Sequence, residues 1–150
     1  MIWYCDTSAL VKRYVQETGS RWFRQQLAQH RLLTSSLALA EVPAALARRE
    51  RQGTISTFEL LRGRNEFTRH WQKGQYVFLS VSLPLIKDAS HLIYRQPLAA
   101  YDAVHLATAL DYLKITGTDS NQFYFVTADA QLQRAAEAEG LQTENPNDHS

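Results

Sequence analysis

The chain has 150 residues, 45% of them hydrophobic and 21% charged, with a formal net charge of +1. That length fits one domain able to bury roughly 70% of the surface its unfolded chain exposes, and the balance excludes a disordered tail or a fibrous repeat. A single cysteine, Cys5, excludes an internal disulfide and a Cys-rich zinc site; with no basic leader over residues 1–6 and no apolar run of the roughly 18–20 residues a spanning helix needs, the expectation is a cytoplasmic protein with no membrane partner.

Residues 2–5 are a short apolar run rich in aromatic and β-branched side chains and predict a buried strand. Asp6-Thr7-Ser8 stops it and offers N-cap side chains to a helix through Val15. Gly19-Ser20 opens a second helix to about Gln29, and Leu32-Leu33-Thr34 is a short strand. Ser35-Ser36 precedes a long helix to about Arg51, ended by Gly53. Ser56-x-x-Glu59 is a capping box for a helix to about Lys73. Tyr76–Val81 has strand composition. Leu83-Pro84 starts a helix to about Tyr94, and Pro97 precedes another over about Ala99–Leu113. Gln122–Val126 is a strand, Ala130–Glu139 a helix stopped by Gly140, and Leu141–Thr143 a last strand. The polar ending from Asn145 onward is expected to fray.

Short apolar strands separated by helices predict a parallel sheet covered on both faces. In such folds sites lie beyond the carboxyl ends of the strands. Asp6 stands at the first strand end, and Asp129 two residues past the strand that closes at Val126. Asp102 opens a helix, and Glu41 lies one and a half turns into a helix that is otherwise apolar nearly all round. Each aspartate alone could be an N-cap or an answer to a helix dipole. Together they pose a charge problem: at ~4 Å and an effective dielectric of ~20, each like pair costs about 4 kcal/mol. A hard divalent cation would resolve it, and oxygen donors without a His or Cys pair favour Mg2+ or Mn2+ over Zn2+.

At these residues the sequence resembles the PIN-domain ribonucleases of the VapC toxin type, over essentially its whole length. Tyr4-Cys5-Asp6-Thr7-Ser8-Ala9-Leu10-Val11-Lys12 resembles the opening motif, and Ser35-Ser36-Leu37-Ala38-Leu39-Ala40-Glu41-Val42 the second. Leu98 to Ala109, carrying Tyr101-Asp102-Ala103-Val104-His105, resembles the third, and Phe125-Val126-Thr127-Ala128-Asp129 the fourth. Gly140-Leu141 through Asn145-Pro146 is similar to the closing strand. The resemblance implies an α/β/α three-layer PIN-like domain with a central parallel sheet over residues 1–146, and a polar tail over 147–150. It implies Mg2+- or Mn2+-dependent cleavage of RNA phosphodiesters and inhibition by a cognate VapB-like antitoxin. It implies a homodimer that joins larger toxin–antitoxin assemblies and meets promoter DNA only through the antitoxin. By position it makes Asp6, Glu41, Asp102 and Asp129 the catalytic acids. Asp6, Asp102 and Asp129 become the metal ligands, and Ser8 and Thr127 supporting hydroxyls.

The rest of the sequence is less specific. His105 lies one helical turn after Asp102, as a proton shuttle or as a packed histidine. Arg48, Arg49, Arg62 and Arg64 belong to a locally basic stretch that would guide RNA, receive an acidic antitoxin segment, or be a solvated helix face. Trp22, Phe23, Phe67 and Trp71 would line a groove for a partner helix or pack in the core. An aspartyl phosphatase would need an acid where Ser8 stands. A receiver domain would need paired acids where Cys5-Asp6 stands, and a lysine after the late strand. An inert PIN-like module that binds RNA or a partner is the remaining alternative.

Overall fold

A computed structural model describes residues 1–149. Its sheet has five parallel strands: β1 (Ile2–Cys5), β2 (Arg31–Ser35), β3 (Val77–Leu79), β4 (Phe123–Val126) and β5 (Thr143–Glu144), in the order β3-β2-β1-β4-β5. β1 is central. Ile2 pairs with Arg31 of β2 on one side and with Phe123 of β4 on the other. The chain therefore leaves β1 in one direction, returns, and completes the sheet on its far side. The topological switch falls beside the carboxyl end of β1.

Strand alternation sorts the core into two layers. Trp3 and Cys5 of β1, Leu32 of β2 and Val126 of β4 face one side. There they meet α1 (Thr7–Leu10), α2 (Ser20–Gln26), α3 (Ala38–Arg51) and α4 (Thr57–Gln72). Tyr4, Leu33, Phe123 and Phe125 face the other. There they meet α5 (Leu83–Arg95), α6 (Ala100–Thr116) and α7 (Ala130–Ala138). Helix α6 is buried at every position from Ala103 to Ala109, so it runs inside its layer rather than over it. The result is the three-layer α/β/α arrangement.

Several boundaries differ from those predicted. The first helix is one α turn followed by a 3-10 turn over Val11–Arg13, because the chain must bend there to bring Lys12 inward. Lys12 is 3% exposed and its ammonium donates to Thr18 O at 2.6 Å and Glu17 Oε1 at 3.2 Å. α6 continues three residues past Leu113, to a left-handed Gly117. β3 is shorter than its composition suggested, and β5 forms at Thr143–Glu144, two residues later than predicted, where it pairs with Phe125 and Val126. Pro43 stands inside α3, a feature the sequence reading did not address; the backbone there loses one donor without breaking the helix. The ending expected to fray is packed through His149. Asn147 Nδ2 donates to Ala128 O, and the His149 ring stacks on Trp22 at 3.8 Å. Ser150 lies outside the described residues.

Phe23 and Phe67 are buried in the core, Trp22 is half-buried against it, and Trp71 is exposed; the four do not make one apolar groove. Cys5 is fully buried.

Gly19 fixes where the C-terminal segment lies. Its φ is +79°, and a Cβ there would stand 2.2 Å from the carbonyl oxygen of Pro146. Gly53 has nearly the same φ, +77°, with nothing within 4 Å. Gly53→Ala should therefore cost only the left-handed penalty, about 1 kcal/mol. Gly19→Ala should cost at least about 2 kcal/mol more, because backbone must also move. Urea unfolding of the two variants measures the difference; equal costs would mean that the Pro146 contact contributes nothing.

Candidate functional site

Asp6 ends β1 and is 3% exposed. It caps α1 by accepting the Ala9 N–H at 3.0 Å on Oδ1. Ser8 Oγ donates to its carboxylate at 2.8 Å, and Thr127 Oγ1 donates to Oδ2 at 2.7 Å. Both hydroxyls are themselves held: the Ala128 N–H donates to Ser8 Oγ at 2.9 Å, and the Asp129 N–H to Thr127 Oγ1 at 3.1 Å. One carboxylate thus laces together the turns that follow the two adjacent strands β1 and β4. Burial pushes the Asp6 carboxyl above its usual range, and the His105 charge and these hydrogen bonds only partly offset it.

Asp129 caps α7, its Oδ1 accepting from Gln131 N at 2.8 Å and Leu132 N at 3.1 Å. Asp102 is in the first turn of α6 and, among the described residues, hydrogen bonds to nothing. Its carboxyl is pushed up to about 6, first by burial, then by the negative charges of Asp6 and Asp129, with a smaller contribution from Glu41. That mutual repulsion marks the four acids, drawn from β1, α3, α6 and the turn after β4, as one electrostatic group at the carboxyl edge of the sheet. Among the described residues no lysine or arginine pairs with Asp6, Asp102 or Asp129.

Glu41 has a different environment. His105 Nε2 lies 2.7 Å from Glu41 Oε1, and Thr7 Oγ1 donates to the same oxygen at 3.0 Å. On its other side His105 Nδ1 is 2.9 Å from the hydroxyl of Tyr4. Burial raises the Tyr4 phenol well above its ordinary value, so Tyr4 keeps its proton. Nε2–H donates to Glu41, because an ionised carboxylate only accepts, while the Tyr4–Nδ1 contact can run either way. Burial by itself would raise the Glu41 carboxyl; the His105 and Thr7 contacts outweigh it and hold Glu41 below the usual range. His105 is thus both a packed histidine, 1% exposed, and the polar support of an acid. Thr7 and Tyr4 were not singled out in the sequence. The available signal was strand alternation, which turns Tyr4 toward the α6 layer.

A cleft of about 910 Å3 is lined by Thr7, Ser8, Glu41 and Asp102 and also by Arg48 and Arg49, which lie about two turns beyond Glu41 on α3. Asp6 and Asp129 do not themselves line it. Arg49 is tied to Glu17 at 3.2 Å, the same carboxylate that pairs with Lys12. Tyr101, 64% exposed, is also on the cleft wall. The basic stretch is divided: Arg62 and Arg64, on α4, lie outside the cleft.

The donors suit a hard divalent cation, being carboxylate oxygens with excess negative charge and no ammonium or guanidinium neutralising the aspartates. Among the described residues no three His, Cys, Asp or Glu side chains are gathered into a ready-made cage. Asp102, without a hydrogen-bond partner, is the acid free to turn toward an ion.

A family model described as "PIN domain" matches residues 3–138. Two curated relatives from Mycobacterium tuberculosis, ribonuclease VapC45 and ribonuclease VapC49, are each 36% identical over 112 residues, 71% of this chain and 74% of theirs. Among solved structures, FitAcB from Neisseria gonorrhoeae superposes with a TM-score of 0.62 at 14% identity, covering 97% of this chain and 98% of that one. VapBC2 from Rickettsia felis, bound to a DNA fragment from its promoter, gives 0.59 at 14% identity with the same coverage. The family match reaches from Trp3 to Ala138 and so encloses all four acids: the chain belongs to the PIN-domain family, and to its VapC type.

Proposed function

We propose that this chain is a divalent-cation-dependent endoribonuclease, the toxin of a toxin–antitoxin pair. The observation that carries the reading is the group of four acids from distant segments, unneutralised by lysine or arginine at its three aspartates, two of which, Glu41 and Asp102, line a cleft that also carries Arg48 and Arg49. Relatives named as ribonucleases, at 36% identity, support the reaction class. In this reading Asp6, Asp102 and Asp129 hold Mg2+ or Mn2+. When bound, the ion polarises a phosphoryl oxygen and lowers the pKa of water toward neutrality.

The chain's own residues do the rest. Ser8 and Thr127 fix the orientation of Asp6, so its lone pairs are presented in one direction. Glu41, kept ionised by His105 and Thr7, accepts the proton of an attacking water as general base. When Glu41 takes that proton, the Tyr4–His105 pair and Thr7 hold the carboxyl group in place. Arg48 and Arg49, on the same cleft, bind phosphates flanking the scissile one, which fixes the register of the RNA without reading bases. Arg62 and Arg64 serve RNA or antitoxin only at a distance from this cleft. A short acidic or amphipathic segment of a VapB-like antitoxin, assembly as a homodimer and cytoplasmic location complete the reading, supported by the VapC relationship. An inert binding module is the second reading, and cation binding separates the two.

Asp6→Asn should lower cleavage of single-stranded RNA at least about a hundredfold with the fold intact by circular dichroism. Calorimetric Mn2+ binding should be lost with it. Wild-type turnover in this variant, or cleavage undiminished in excess chelator, would remove the assignment.

Asp102 makes a pH-dependent prediction that needs no substrate. Its carboxyl is raised from 3.8 to about 6 in the folded chain. The folded state then binds that proton more tightly than the unfolded chain, so stability falls as pH rises from about 4 through 6 and is level above. Asp102→Asn should therefore stabilise the metal-free protein at pH 7.5, by about 1 kcal/mol after discounting for the solvent that reaches this half-buried group. The gain should vanish near pH 3.5 and shrink in millimolar Mg2+. Thermal melts at the two pH values test it; a pH-independent difference would mean that the repulsion is absent.

A further inference from the structure

A second cavity, of about 710 Å3, lies at the opposite end of the sheet, where β2 and β3 begin. Its walls carry Arg13, Arg24, Arg69, His30 and His70, with Glu66 as the one acid. Most of the acceptors there are already used. Gln75 Oε1 is taken by Arg13 Nη2 at 2.7 Å. Arg13 Nη1 donates to the Tyr76 hydroxyl at 2.9 Å. The Tyr76 and Tyr14 hydroxyls are 2.6 Å apart, and Tyr14 is 2.8 Å from His70 Nδ1.

An arginine can only donate, so Tyr76 accepts from Arg13, while between the two tyrosines either hydroxyl can donate. A Tyr14 proton directed to His70 Nδ1 leaves the ring neutral with its Nε2–H free. Burial, then the charges of Arg13, Arg69 and Lys73, push its pKa down to about 4, so it stays in that state at neutral pH. The His30 ring on the wall is stacked on Trp3 with centroids 4.0 Å apart. The cavity is thus a concave, donor-rich surface in which cations crowd one another.

We propose that this cavity is a binding site for a phosphate group, carried by a nucleic-acid backbone or by a free nucleotide. Arg69 and Arg13 supply charge, and the His70 Nε2–H supplies an oriented neutral donor. Arg24 is held by the Lys12 and Val15 carbonyls, so it contributes charge more than contacts. The site lies at the opposite end of the strands from the acid group and stands independently of the nuclease reading.

The test uses the whole chain in chelator, so that no cation recruits phosphate to the acid cleft. Two probes are titrated calorimetrically: ATP, and a 2′-O-methyl oligoribonucleotide without terminal phosphates. Histidine ring 15N spectra follow His70. At least one probe should bind, shifting the His70 resonances from a starting Nε2–H tautomer. Arg69→Glu, an exposed substitution, should weaken that binding at least tenfold with an unchanged melting temperature. Binding of ATP alone assigns a free nucleotide; binding of the oligomer assigns the backbone. The proposal is overturned if neither probe binds, if Arg69→Glu binds as the parent does, or if binding leaves His70 unmoved.

Discussion

Like charge held at close quarters is the constraint on which this structure turns. Parallel strands deliver their carboxyl ends to one edge, and here Asp6, Asp102 and Asp129 arrive there with Glu41 beside them. A domain of this size has a net stability of only about 5–15 kcal/mol, so uncompensated repulsion of a few kcal/mol is a substantial fraction of it. The protein limits the damage locally. Asp6 is surrounded by hydroxyl and N–H donors, Asp129 is bound to the start of its own helix, and Glu41 is joined to a histidine. Asp102 alone has no such partner, and burial and the neighbouring carboxylates push its carboxyl up to about 6. The fold thus keeps an arrangement that opposes its own stability.

The supports of the four acids divide them by chemistry. Glu41 is pulled below the ordinary carboxyl range by His105 and Thr7, whereas Asp102 is pushed above it. Two carboxylates in one cleft are thereby driven apart in proton affinity, the condition under which one accepts protons and another holds a ligand. The support of Glu41 reaches through the sheet: Tyr4 on β1 faces the α6 layer, and His105 on α6 meets it there before turning to an acid on α3.

Much of this was legible in the residues. Strand positions followed from short apolar runs, because a sheet covered on both faces leaves no polar face to alternate with. The acids were visible as the charged residues that follow those runs. What spacing could not give was direction. Arg48 and Arg62 look equivalent in a basic stretch, and only the packing of α3 against α4 puts the first on the cleft and the second away from it. Asp6 and Asp129 likewise read as helix caps or as functional acids, and the geometry makes both of them caps. The first helix was overextended because propensity does not register the buried lysine that bends the chain at Lys12. The closing strand was misplaced by two residues because so short an edge strand is positioned by its neighbour rather than by its own composition.

The register of β1 has a consequence for biosynthesis. Its partner on one side, β4, lies about 120 residues downstream, and Tyr4 pairs there with Phe125. No nascent chain shorter than that can close the sheet around its first strand, since loop-spanning pairs form only when both members have been made. An interrupted translation product, even one carrying Asp6, Glu41 and Asp102, lacks the Thr127 hydroxyl and the last aspartate that finish the pocket. The acid group at this edge is therefore complete only once the chain has been made at least through Asp129, which leaves most of the interval of synthesis without it.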